Sequence, residues 1–131
     1  MGLFGNIFGS KKSDGKETRE KVPWIPLTSL EQLEEIERKS ASRPQVVFKH
    51  STTCGVSRMV LNMFEKNPIL KEDSLDLYFL DLHRYREISN EISQKFQLLH
   101  QSPQLLIIKN GETIAHGSHG GIADINLGDF V

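Results

Sequence analysis

Cysteine is nearly missing from this chain, which carries one, Cys54, in 131 residues. A single cysteine excludes any intramolecular disulfide and with it the disulfide-stapled secreted scaffolds, and it places the protein in a reducing, cytoplasmic setting. A surplus of charge is missing too: 16 basic residues face 17 acidic ones, for a formal net charge of −1. A nucleic-acid module ordinarily shows a basic surplus, so no nucleic-acid partner is expected. Long apolar runs are absent; nothing approaches the roughly 18 consecutive apolar residues of a membrane span. The apolar start of the chain is short and broken by Gly5 and Gly9, unlike a secretory signal. With no second cysteine, and with acids and histidines scattered, no metal ligand is assigned.

What is there centres on the thiol. Lys49-His50-Ser51-Thr52-Thr53-Cys54-Gly55-Val56-Ser57-Arg58 follows the apolar run Val46-Val47-Phe48 and opens a helix-periodic run, Val56, Met59, Val60, Met63, Phe64. Cys54 therefore falls at a strand-to-helix turn. The first helical turn leaves backbone N–H groups unpaired at the positive end of the helix dipole, and both favour an anion, here the nucleophilic thiolate. Lys49, His50 and Arg58 add positive potential if they point toward the sulfur, and polar flanks favour exposure. The competing reading is a small buried hydrophobe, the common fate of a free cysteine. Cys54-Gly55-Val56-Ser57 keeps the C-x-x-C redox spacing with serine in second place. Serine cannot resolve a mixed disulfide, so any redox cycle needs an external thiol. Ser57 stands either as a hydrogen-bond donor to the thiolate or as an ordinary polar residue of the first helical turn.

The length fits one domain. Residues 1–21 read as a flexible leader. Met1-Gly2-Leu3-Phe4-Gly5-Asn6 is similar to a myristoylation start, except that Asn6 stands where serine or threonine is expected. Leu3, Phe4, Ile7 and Phe8 can share a helical face ahead of Lys11 and Lys12, as in an interfacial anchor. The polar run 10–21 reads as linker.

The domain is residues 22–131. Val22 to Leu27 contains two prolines and is at most an edge strand, with Trp24 covering one side of the core. Thr28 or Ser29 is expected to cap a helix carrying Leu30, Leu33 and Ile36, with Thr28 and Glu31 at capping-box spacing. Residues 45–49 form a strand buried on both faces. The helix after Cys54 runs to about Lys66 and stops at Asn67-Pro68. Residues 76–82 form the next strand, and Ile88, Ile92 and Phe96 mark a third helix. Residues 105–108 form a strand joined by the primed-type turn Asn110-Gly111 to a returning strand at 113–115. Ile122, Ile125 and Phe130 close the chain in a helical turn or two. The order βα-βαβαββα belongs to the α/β class: a thioredoxin-like fold with a central mixed sheet flanked by helices.

That fold gives Ser102-Pro103 a meaning. Proline at a strand start is allowed, and X-Pro bonds are the ones for which cis costs little. In a thioredoxin-like fold a cis-proline loop faces the redox helix, where the residue before the proline pairs with an extended substrate. A cis Ser102–Pro103 bond close to Cys54 is therefore expected. Of the five histidines, His50, His83 and His100 read as surface or hydrogen-bonded residues. His116 and His119, flanking Gly117-Ser118 after the last strand, read as part of a polar rim. A cysteine hydrolase with a histidine base finds no support in the spacing.

Lys49-His50-Ser51-Thr52-Thr53-Cys54 resembles the redox turn of the monothiol bacilliredoxins, a thioredoxin-like family of the bacillithiol system. His100-Gln101-Ser102-Pro103-Gln104 is similar to its cis-proline segment, and His116-Gly117-Ser118-His119 to its late histidine motif. The likeness covers roughly residues 24–125. It implies that Cys54 attacks a protein mixed disulfide with bacillithiol, takes the small thiol and releases the protein's cysteine. A second bacillithiol or a reductase then regenerates the sulfur. The implied partners are S-thiolated proteins and a low-molecular-weight thiol, bacillithiol or a similar one as co-substrate, with no tightly bound cofactor. The candidate site is Cys54 and Ser57 for catalysis, with Thr53, Gly55, Ser102, Pro103, His116 and His119 binding substrate. Two positions depart from the family, Gly55 where proline is common and Gly120 where an aromatic stands.

Gly55 also makes Cys54-Gly55-Val56-Ser57 similar to the Cys-Gly-Phe-Ser turn of monothiol glutaredoxins. Those proteins use glutathione and can share an iron–sulfur cluster between two subunits. Gly120-Gly121 with Asp124 resembles their glutathione-binding glycine pair, several residues farther from Pro103. The alternatives are thus an iron–sulfur or glutathione-binding protein, and a redox-inactive thioredoxin-like binding module.

Overall fold

The computed structural model describes residues 22–131. The myristoylation-like start, the interfacial anchor and the linker read into residues 1–21 lie outside the described residues. In chain order the elements are β1 (Ile25–Pro26), α1 (Glu31–Lys39), β2 (Gln45–His50), α2 (Gly55–Phe64), β3 (Asp76–Asp81), α3 (Arg86–Lys95), β4 (Gln104–Lys109) and β5 (Glu112–Ser118). Short 3-10 turns cover Pro68–Lys71, His119–Asp124 and Leu127–Asp129. The strands form one sheet in the order β1-β3-β2-β4-β5. β1 and β2 run parallel to β3, while β4 is antiparallel to both β2 and β5.

Every residue of β2 is buried, because this central strand is covered on both faces. Side chains alternate across a strand. Val47 therefore joins Leu33 and Ile36 of α1 with Ile88, Ile92 and Phe96 beside α3. Val46 and Phe48 join Val60 and Phe64 of α2 with Ile122 and Leu127 of the last turns. Each such side chain stabilises the fold by about 1.5–3 kcal/mol through burial. Trp24 packs edge-on to Phe48 and Phe79 and stacks on Phe64, with centroids 5.6–6.1 Å apart. Its Nε1 donates to Glu65 Oε2 at 2.7 Å, so it covers the core as expected.

Three details differ from the sequence reading. Neither Thr28 nor Ser29 caps α1: Leu30 occupies the cap position and no side chain bonds there. Gln32 Oε1 instead accepts the backbone N–H groups of Thr28 and Ser29 at 2.7 and 3.0 Å, which satisfies donors ahead of the helix from inside it. Pro68 does not merely stop α2; Asn67 Oδ1 accepts from Ile69 N and starts a new 3-10 turn. β5 runs on to Ser118, so His116 lies within the strand and not after it. Asn110 and Gly111 both take positive φ (53° and 78°), a turn whose twist matches the flanking strands. Pairing then continues, past a bulge at Ile107/Ile108, until Ser118 meets Gln104.

Candidate functional site

Cys54 sits where β2 has ended and α2 is about to begin. Its N–H donates to Ser51 O at 3.3 Å, and its own carbonyl accepts Arg58 N–H at 3.2 Å, the first bond of the helix. Its backbone is extended (φ −110°, ψ 120°), the conformation of an N-cap residue. The residue is partly exposed, and its side chain forms no capping hydrogen bond. The thiol is thus no core hydrophobe but stands at the positive end of α2, beside N–H groups that have no helical partner.

Ser57 is completely buried. Its Oγ accepts Ser51 N–H at 3.0 Å and lies 2.9 Å from His50 Nδ1. Burial holds the His50 pKa below the usual imidazole value; Asp81 opposes that shift, Arg58 adds to it and Glu65 opposes it. Through His50 and Ser51 the Ser57 hydroxyl joins the end of β2 to α2.

The basic residues beside the turn separate. Arg58 Nη2 reaches back to Thr52 O at 3.5 Å and keeps its charge over the turn. Lys49 points to the opposite face of the sheet, where its buried Nζ donates to Ser89 O at 3.2 Å and lies 3.1 Å from His100 Nδ1. Burial pushes the Lys49 pKa down to about 8. His100 is held below the usual value by burial first, then by Lys49 and Arg86.

Thr53, the residue before the thiol, meets a group that sequence reasoning left among the surface histidines. His83 Nε2 lies 2.8 Å from Ser51 Oγ and 3.2 Å from Thr53 Oγ1, and the two hydroxyls are 3.3 Å apart. Parallel pairing brings this about: His50 registers with Asp81, so the segment leaving β3 runs beside the segment leaving β2. Strand pairing was the signal available, since ligand sites in such sheets gather at the carboxyl ends of parallel strands.

On the other flank, β4 runs antiparallel to β2 with Lys49 opposite Gln104, so Pro103 lies at the same end of the sheet as the Cys54 turn. The Ser102–Pro103 bond is cis. Pro103 O accepts His119 N–H at 3.1 Å, which brings the start of the His119–Asp124 turn alongside. Ser102 Oγ is buried and has no hydrogen-bond partner among the described residues. Gly55, the first residue of α2, has open space where a Cβ would stand. His116 borders a hollow of about 400 Å³ with Lys95, Phe96, Gln97 and Leu98, none of them from the thiol turn. Along α2, Val56, Met59 and Met63 are exposed, and the two methionines line a groove of about 420 Å³. Among the described residues no group of three or more His, Cys, Asp or Glu is placed to hold a metal ion, and no helix is long and apolar enough to cross a membrane.

A five-stranded mixed sheet with a partly exposed thiol at the start of the helix after its central strand defines a thioredoxin-fold thiol redox protein, here with one sulfur in place of two. A family model for the monothiol bacilliredoxin BrxC matches residues 25–127, and the chain belongs to that family. Solved structures agree. A protein described as a candidate oxidoreductase with a thioredoxin fold is 32% identical, with 76% of this chain and 85% of that one covered at a TM-score of 0.66. Thioredoxin from Malassezia sympodialis is similar at 18% identity, 84% and 90% coverage and a TM-score of 0.63. Thioredoxin from Trypanosoma brucei brucei is similar at 22% identity, 82% and 89% coverage and a TM-score of 0.60. At those identities the two thioredoxins speak for the fold alone.

Proposed function

We propose that the protein removes a small thiol, bacillithiol or a close analogue, from S-thiolated proteins in the cytoplasm, with Cys54 as nucleophile. The Cys54 thiolate attacks the sulfur that the small thiol contributes to the mixed disulfide. A bond forms between Cys54 and the small thiol, the old S–S bond breaks, and the protein cysteine leaves as a thiolate that takes a proton from water. A second small-thiol thiolate then attacks this adduct, releasing the two small thiols joined as a disulfide and restoring the Cys54 thiolate. Electrons balance over both steps without a bound cofactor. Thr53, Gly55, Ser102 and Pro103, at one end of the sheet, are the groups assigned to substrate, with the backbone of His119 beside Pro103. Ser57 contributes by holding α2 against β2.

The observation that carries this reading is the partly exposed thiol at the α2 N-cap, with no second cysteine in the chain. The test is a protein carrying one bacillithiol mixed disulfide, incubated with the full chain and followed by mass spectrometry. A bacillithiol adduct on Cys54 and a freed substrate thiol are expected, with neither in Cys54→Ser. A glutathione-loaded substrate run in parallel reports the choice of small thiol. Absence of any adduct in the wild type overturns the proposal.

A further inference from the structure

We infer that His83 is a positioning residue for the reactive turn, holding Cys54 at the mouth of α2 through the hydroxyls of Ser51 and Thr53; this rests on the exchange reading of Cys54. Every polar group of Ser51 is engaged. Its N–H goes to Ser57 Oγ, its carbonyl accepts Cys54 N–H, and its hydroxyl meets His83 Nε2 at 2.8 Å. The first two of these contacts lie within the segment from β2 to α2, and the third ties that segment to the chain leaving β3. Thr53 is exposed, and the hydrogen bonds of its hydroxyl among the described residues are to Ser51 and His83. His83 thus spans the two residues that flank Thr52 and anchors the peptide leading directly into Cys54.

The cluster holds together whichever ring nitrogen carries the proton: a bare Nε2 accepts from one hydroxyl, which in turn accepts from the other, and an Nε2–H is shared between the two hydroxyl oxygens. The clamp therefore works by hydrogen bonding, and the charge of the ring is not needed for it. Its consequence for the thiol follows from the short reach of a helix terminus, whose field falls off within the first turn. A loosened Thr53–Cys54 peptide lets the sulfur leave that region, and its reactivity drops.

The test is the rate of iodoacetamide alkylation of Cys54 in the full chain across pH, for wild type, His83→Leu and His83→Gln. Leucine removes the hydrogen bonds, and glutamine keeps a polar group able to reach both hydroxyls. His83→Leu is expected to react about 3- to 10-fold more slowly at neutral pH, the effect of one or two lost hydrogen bonds, with its profile displaced to higher pH. His83→Gln is expected within about twofold of wild type by the same reasoning. A His83→Leu profile that overlays wild type overturns the inference, as does an equal loss in both variants, which would assign the effect to ring charge. Thr53→Val, which removes one leg of the triangle, serves if His83→Leu fails to fold; an unchanged profile there overturns the inference as well. A wild-type Cys54 no faster than free cysteine sinks the exchange reading itself, and the inference with it. That failure shows in the wild-type trace alone.

Discussion

The Ser57 hydroxyl lies 2.9 Å from Nδ1 of His50 and 3.0 Å from the backbone nitrogen of Ser51, all three groups buried. One oxygen joins the last residue of β2, the first residue after it, and the third residue of α2. Ser57→Ala leaves two buried polar groups without a partner, a cost of about 1–3 kcal/mol. A urea midpoint lowered accordingly is expected; an unchanged midpoint shows the pair contributes nothing.

Gly55 is the residue of α2 best suited to proline. It is the first helical position, where a missing N–H costs nothing, and a Cβ there meets no heavy atom within 4 Å beyond its chain neighbours. Cys54 before it is already in the extended conformation that a following proline demands. Gly55→Pro should therefore raise stability by about 0.4–1 kcal/mol by restricting the unfolded chain. Thermal melts of the two proteins check this, and a lowered Tm refutes the open-space argument.

The acid side of the stability profile should carry the mark of His50. Its folded pKa lies below the ordinary value of 6.5 because burial disfavours the imidazolium. The unfolded chain binds a proton that the folded protein refuses, so stability is full above about 6.5 and falls as pH drops below it. His100, lowered by burial and by Lys49, acts in the same direction. Urea midpoints at pH 7.5 and 5.5 should show the fall, and His50→Asn should make it shallower. An equally steep fall in that variant removes His50 as a source.

Lys49 imposes the opposite slope on the alkaline side. With its pKa lowered from 10.5 to about 8, the unfolded chain holds this proton more tightly than the folded one between those values. Stability contributed by this group rises with pH through that window, by an amount on the order of 3 kcal/mol from the size of the shift. Denaturation series from pH 7.5 to 10 should show wild type gaining on Lys49→Met. Parallel curves would mean the ammonium is better solvated than its burial implies.

Much of the architecture was legible because periodicity records burial. The continuous apolar run of β2 announced a strand covered on both sides, and Ile88, Ile92 and Phe96 at spacing four announced the buried face of α3. Asn110-Gly111 announced its turn because few residues accept two positive φ values in succession. The α1 cap was misread since Thr28 and Ser29 have the right chemistry, and nothing local says that the Gln32 amide will fold back to their N–H groups. The extent of β5 was misread since it depends on how far β4 continues to offer partners.

The sequence by itself determined that the chain has a single cysteine and that this thiol stands between a strand and a helix, because composition and hydrophobic period are written along the chain. Only the tertiary structure decided which neighbours that sulfur keeps. Lys49 and His50 are adjacent in sequence yet face opposite sides of the sheet, since successive side chains of a strand alternate. His83 is distant in sequence yet meets Thr53, since the parallel register of β2 and β3 brings their ends side by side. Hydrogen bonds are made where geometry brings partners within about 3 Å, and that proximity belongs to the fold and not to the order of residues.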